Sequence, residues 1–166
     1  MATQTAPILE QPVPIGRLVV CPVPAVLTVH GLGSCVAIFL HHPDHRIGGL
    51  AHALLPSGKR SERERTPGKF VPSSVEVMLQ KFDDLGVRGK GLVAKLVGGA
   101  SMFVGATRER QGIGERNIRA AQKVLAEHGI PVVASDTGGH SGRSLRAYTQ
   151  DGLLEVSTLR QPPQVL

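Results

Sequence analysis

Apolar residues recur at helical spacing in two stretches. Val75, Met78, Leu79, Phe82 and Leu85 fall three or four positions apart, which predicts a core-facing helix from Ser74 to Leu85, stopped by Gly86. Ile118, Ala121 and Leu125 predict a second helix over 115–128, with Gly129 at its end. Elsewhere the apolar residues come in short runs, which read as strands at Arg17–Cys21, Cys35–Leu40, Ile47–Leu55, Leu92–Val97, Pro131–Ser135 and Leu153–Leu159. Strands outnumber helices, and the early ones are close enough in sequence to pair as hairpins. The pattern therefore predicts a single α/β domain of layered mixed or antiparallel sheets flanked by helices, rather than a doubly wound parallel sheet.

The hairpin between the second and third strands carries a chemical consequence. His42-Pro43-Asp44-His45 has Pro and Asp where a tight turn favours them. If that turn pairs residue 42 with 45, Cys35 falls opposite His52, and opposed Cβ atoms stand about 4.5–5.5 Å apart. A bulge at Gly48-Gly49 would move His52 to the other face.

Domain limits follow from composition. Residues 1–14, with Pro7, Pro12 and Pro14, read as a flexible arm; residues 15–160 as the domain; residues 161–166 as a tail. Residues 56–70 read as a polar loop long enough to serve as a flap over a site.

The net charge of +6, from 19 Lys and Arg against 13 Asp and Glu, first suggests a nucleic-acid partner. Aromatics at 3% leave few stacking platforms, and much of the basic charge sits in the mixed-sign stretch 59–65, so nucleic-acid binding is not expected. An acidic protein surface fits the charge equally well. No run approaches the ~18 apolar residues of a membrane span, and the N-terminus lacks a signal-peptide pattern, so a cytoplasmic protein without membrane insertion is expected. Two cysteines, Cys21 and Cys35, are too few for a disulfide framework.

Cys35 follows Gly31, Gly33 and Ser34, a setting where backbone N–H groups can gather around a nucleophile. A free cysteine is usually a small buried hydrophobe, and a catalytic one needs a partner to take its proton. His52, set among Leu50, Ala51, Ala53 and Leu54, is a polar group on an apolar strand and needs partners of its own. Cys21 reads as a core thiol. His41, His42, Asp44 and His45 lie in the predicted turn, where neighbours point in different directions, so no metal site is expected. The loops Gly98-Gly99-Ala100-Ser101 and Asp136-Thr137-Gly138-Gly139 match no phosphate-binding pattern. They serve either close backbone packing or the rim around Cys35.

Taken together, Leu32-Gly33-Ser34-Cys35-Val36-Ala37, Gly48-Gly49-Leu50-Ala51-His52-Ala53-Leu54-Leu55-Pro56, Val97-Gly98-Gly99-Ala100-Ser101-Met102-Phe103, Ile113-Gly114-Glu115-Arg116-Asn117, and Asp136-Thr137-Gly138-Gly139 with Gly142-Arg143 resemble the chemoreceptor glutamine deamidases of the CheD family. The resemblance implies an α/β/β fold and a cofactor-free hydrolase. Its thiol would convert selected glutamines of chemoreceptor cytoplasmic domains to glutamate through a thioester, releasing ammonia. It implies a Cys–His–Thr arrangement, with Cys35 as nucleophile and His52 as base. Six residues before the cysteine, where the family carries threonine, stands Val29, and the adjacent Thr28 is assigned that role. Gly33, Ser34, Gly99, Ser101, Asp136 and Thr137 are expected to bind substrate, and a CheC-type phosphatase is an implied partner of some members. The rival reading is a chemotaxis adaptor of the same fold with weak or no deamidase activity.

Overall fold

The computed structural model describes residues 8–88, 90–102 and 112–166; residues 1–7 of the predicted arm and Phe103 lie outside them. Two five-stranded sheets form the domain. The first is ordered β1 (Leu9–Pro12), β3 (Ala25–Leu32), β8 (Arg143–Tyr148), β9 (Leu154–Thr158), β10 (Gln164–Val165). The second is ordered β2 (Leu18–Cys21), β5 (Ile47–Ala53), β4 (Val36–His42), β6 (Val93–Gly98), β7 (Val132–Thr137). Both are mixed, since β1 runs parallel to β3 and β6 parallel to β7 while the other pairs are antiparallel.

Strand alternation sorts the core into two layers. On β4, Val36, Ile38 and Leu40 turn to a cluster that includes Met78 and Phe82 of helix α2 (Val71–Asp84) and Ala121 and Leu125 of helix α3 (Ile113–Glu127). Ala37 and Phe39 turn to the other side, where they meet Leu27 and Val29 of β3, Leu145 of β8 and Val156 of β9. Every residue of β4 is buried because both faces of its sheet are covered. The result is a helix layer, a sheet with two buried faces, and an outer sheet, the α/β/β order expected. Fully burying a Phe82 or a Met78 side chain stabilises by about 1.5–3 kcal/mol each, so most of the driving force lies in these two seams.

Helix α2 begins at Val71 rather than at Ser74. Pro72 sits in its first turn, where a missing N–H costs nothing, and the hydroxyls of Ser73 and Ser74 donate back to the Phe70 carbonyl. Gly86 and Gly129 follow the two long helices with positive φ, as expected of their stops. The 56–70 stretch is not a plain loop: it holds helix α1 (Arg60–Arg65) and a 3₁₀ turn over Pro67–Lys69. The proline-rich arm also changes character, because from Leu9 it is strand β1, paired with Ala25–Thr28 at the edge of the outer sheet. Proline is compatible with an edge strand, whose outward N–H needs no partner.

The hairpin register differs from the expected one. β4 and β5 pair Ala37 with His52 and His42 with Ile47, so the loop is Pro43-Asp44-His45-Arg46 rather than a two-residue turn. Arg46 adopts φ 55°, and its N–H donates to the His42 carbonyl at 2.8 Å, closing a four-residue connection. The register therefore shifts by two residues, which keeps every side chain on the face it was assigned. Gly48 and Gly49 pair in register with β4.

Candidate functional site

Cys35 lies in the bend over 33–35 between β3 and β4, one residue before β4 begins. His52 is opposite Ala37, two residues along from Cys35 on the same face, so the two are diagonal neighbours rather than a directly opposed pair. They share a pocket of about 370 Å³ whose walls also include Pro12, Val13, Pro14, Ile15, Thr28 and His30. The 56–70 segment does not line it; the chain covering this pocket is the 12–15 stretch that follows β1.

The imidazole is held from one side. Its Nδ1 lies 3.3 Å from the Val13 carbonyl oxygen, while its Nε2 is buried and meets no partner among the described residues. A carbonyl only accepts, so Nδ1 carries the proton and the lone pair is on Nε2. Backbone bonds hold the strap and strand together: the His52 N–H donates to Arg17, the Gly16 N–H to His52, and the Val13 N–H to Thr28, at 2.9, 2.8 and 2.8 Å.

Thr28 is 2% exposed and its carbonyl anchors Val13. Leu27 and Val29 face the inter-sheet core, so strand alternation turns the Thr28 side chain the other way. The group at hydrogen-bond distance from Nδ1 is thus the Val13 carbonyl. Nothing in the sequence marked Val13, because a main-chain carbonyl leaves no residue-type signature.

Burial sets the charge states. Desolvation pushes the Cys35 thiol above its ordinary value, against a smaller opposing effect of its own backbone N–H. Desolvation lowers His52, with the Val13 carbonyl pulling the other way. Both shifts favour the neutral forms, thiol over thiolate and imidazole over imidazolium.

The loop around Cys35 is tied at three successive carbonyls. Gly33 accepts from the Ala100 N–H at 3.0 Å, Ser34 from the Asn117 side-chain amide at 2.8 Å, and Cys35 from the Gly99 N–H at 2.7 Å. Gly98 (φ 107°) presses on the Cys35 carbonyl, where any Cβ would collide. Gly114 packs directly on the backbone of Gly99 and Ala100, which brings the first turn of α3 against this loop.

The remaining expected binding residues are joined to this loop and to one another through backbone pairing and, at Asp136, an ion pair. The Ser101 N–H donates to Gly139, and the Gly138 N–H to Gly98. Thr137 pairs with Gly98 at the end of β7, and Asp136 accepts from Arg143 at 2.9 Å. Arg143 also donates to the Gly138 and Ser141 carbonyls, so this second loop is stapled from within. Away from the site, His41 stacks on Phe39 and His42 Nε2 lies 2.9 Å from the Lys90 carbonyl. Cys21 is buried, with its thiol 3.8 Å from the Gln11 side chain. No described helix is long and apolar enough to cross a membrane.

Comparison with known proteins adds an independent line. The family described as CheD chemotactic sensory transduction matches residues 54–158. A probable chemoreceptor glutamine deamidase CheD 2 from Geobacter metallireducens is 49% identical over 142 residues, covering 84% of this chain and 87% of its own length. The chemoreceptor glutamine deamidase CheD of Thermotoga maritima is 36% identical over 151 residues, covering 89% of this chain and 91% of its own. A probable chemoreceptor glutamine deamidase CheD from Thermococcus kodakarensis is 39% identical over 150 residues, covering 90% and 89%. With its motifs in order on an α/β/β frame, and with relatives matched along most of both chains, this chain belongs to the CheD family.

Proposed function

We propose that this protein deamidates glutamine side chains in the cytoplasmic domains of chemoreceptors, with Cys35 as nucleophile and His52 as general base. The observation that carries the reading is one pocket holding a cysteine and a histidine whose Nε2 has no partner among the described residues and whose Nδ1 is held by Val13. Names borne by the relatives supply the substrate class.

The chemistry follows from the neutral pair. As the Cys35 sulfur attacks the carboxamide carbon, its proton passes to His52 Nε2, so charge develops only as the C–S bond forms. The imidazolium is stabilised by its Nδ1–H bond to Val13, the orienting role of the third member in a triad. Nε2 then protonates the departing nitrogen, ammonia leaves, and a thioester remains. Water, deprotonated by the same Nε2, opens the thioester to glutamate and regenerates the thiol. The balance is glutamine plus water to glutamate plus ammonia. Thr28, expected to orient the base, contributes in this scheme through its carbonyl, which anchors the Val13 peptide.

The test is mass spectrometry of a chemoreceptor cytoplasmic fragment incubated with wild type, Cys35→Ala or His52→Ala, with ammonia measured in parallel. Conversion by wild type alone is the expected result. Conversion by Cys35→Ala refutes the nucleophile assignment, and tight binding without conversion by wild type favours the adaptor reading.

A further inference from the structure

Asn117 is a polar side chain with no exposure, on a helix face otherwise given to Ala121, Val124 and Leu125. Its Nδ2 donates twice, to the Ser34 carbonyl at 2.8 Å and to the Leu54 carbonyl at 3.0 Å. One amide thus joins the residue just before the proposed nucleophile to the residue two beyond the proposed base. Two carbonyl acceptors require the NH₂ group and exclude the flipped amide. The cost of this arrangement is visible, because Oδ1 of Asn117 is buried without a partner among the described residues. A buried unsatisfied oxygen is tolerated where the donors opposite it are needed.

The Ser34 carbonyl and the Cys35 N–H belong to one planar trans peptide and point to opposite sides of it. Holding the carbonyl therefore sets the direction of that N–H. The carbonyls on either side, of Gly33 and Cys35, are already fixed by backbone donors, so Asn117 is the side chain that completes the frame. A peptide whose carbonyl accepts a hydrogen bond is also polarised, which makes its N–H a better donor.

We infer that Asn117 is a positioning residue for the deamidation, aligning the Ser34–Cys35 peptide so that its N–H faces the developing oxyanion, and tying that peptide to Leu54, just past the strand that carries His52. This rests on the Cys35 and His52 roles proposed above. Asn117 itself touches neither substrate nor thiol; it acts through the peptide it holds.

The experiment compares wild type with Asn117→Asp, Asn117→Ala and Asn117→Ser at 10 °C, with Cys35→Ala as control. Asp keeps the shape but turns an acceptor toward the two carbonyls, Ala removes both donors, and Ser restores a hydroxyl donor in a smaller side chain. Thermal melts establish folding, and kcat and KM are read separately on the receptor fragment. The expected result is a kcat lower by roughly 10²-fold in Asp and Ala, the scale of one misdirected oxyanion donor, with KM within about threefold and partial recovery in Ser. In isotopically labelled wild type, couplings across the hydrogen bonds should connect the Asn117 side-chain nitrogen to the carbonyl carbons of Ser34 and Leu54.

Folded Asp or Ala variants with kcat within threefold of wild type overturn the inference, as does the absence of both couplings. Failure of all three variants to fold also overturns it, because Asn117 is then a folding residue. Activity in Cys35→Ala refutes the nucleophile itself, an outcome distinct from any failure of Asn117.

Discussion

Substituting Gly98 by alanine tests whether the Cys35 loop is as tightly framed as the geometry requires. Gly98 has φ 107°, and a Cβ there would lie 2.7 Å from Leu32 Cδ2 and closer still to the Cys35 carbonyl oxygen. Left-handed backbone costs an L-residue about 1–2 kcal/mol. Relieving the collision means moving the Cys35 carbonyl away from the Gly99 N–H, now 2.7 Å distant, and a buried group left unpaired costs about 1–3 kcal/mol. The sum is about 2–5 kcal/mol, and at about 2–4 °C per kcal/mol for a chain of this size the melting temperature should fall by roughly 4–20 °C. Displacing the peptide that follows the thiol should also lower kcat by about 10²-fold.

Gly86→Ala is the matched control. Gly86 has φ 77° with nothing within 4 Å of its would-be Cβ, so it carries only the backbone cost of about 1–2 kcal/mol and should leave kcat unchanged. Calorimetry with steady-state ammonia release on both variants makes the comparison. Equal melting temperatures for the two, with kcat of Gly98→Ala within twofold of wild type, would refute the crowding argument.

Three further outcomes are expected. Burial lowers His41 and His52 and raises Cys21 and Cys35; the unfolded chain therefore takes up protons first below about pH 6.5 and releases them first above about pH 8.5. Stability from the histidines should be lost as pH falls through that lower bound, and from the thiols as it rises through the upper one. Melts from pH 5 to 10 check this, and an acid-side slope unchanged in a His41→Gln, His52→Gln double variant would contradict it. Site-resolved alkylation of Cys35 by iodoacetamide should be slow at pH 7 and climb only above about pH 8.5, whereas fast alkylation at pH 6 would indicate a thiolate–imidazolium pair. Arg143→Met strips donors from Asp136 and from the Gly138 and Ser141 carbonyls. It should cost about 2–4 kcal/mol in urea denaturation, less than a fully buried pair because Asp136 is 25% exposed; a loss under 0.5 kcal/mol would show the staple to be dispensable.

The sequence by itself determined the parts of this protein that depend on local pattern. Val75, Met78 and Phe82 place a helix because their spacing matches its turn, and Gly86 and Gly129 stop helices because few other residues tolerate positive φ. The face shared by Cys35 and His52 was legible for the same reason: strand parity has a period of two, so it survived a register displaced by two residues. Four strands escape that reading: β1 and β10 are short and lie in the segments taken as arm and tail, His30 and Gly31 blur the alternation of β3, and the charged residues Arg143 and Arg146 mask that of β8.

Only the tertiary structure decided the hairpin loop, because Arg46 in a left-handed conformation closes it two residues later than the Pro-Asp pair suggests. It also placed Val13 and Asn117 at the site. Val13 meets His52 through a carbonyl that every residue possesses, and its position depends on a parallel pairing of the N-terminal strand. Asn117 is distant in sequence from both residues it joins, and its two hydrogen bonds exist only because Gly99 and Gly114 let helix and loop meet backbone to backbone. Side-chain chemistry is written in the sequence, whereas the direction of a main-chain carbonyl is set by the packing of elements far apart along the chain.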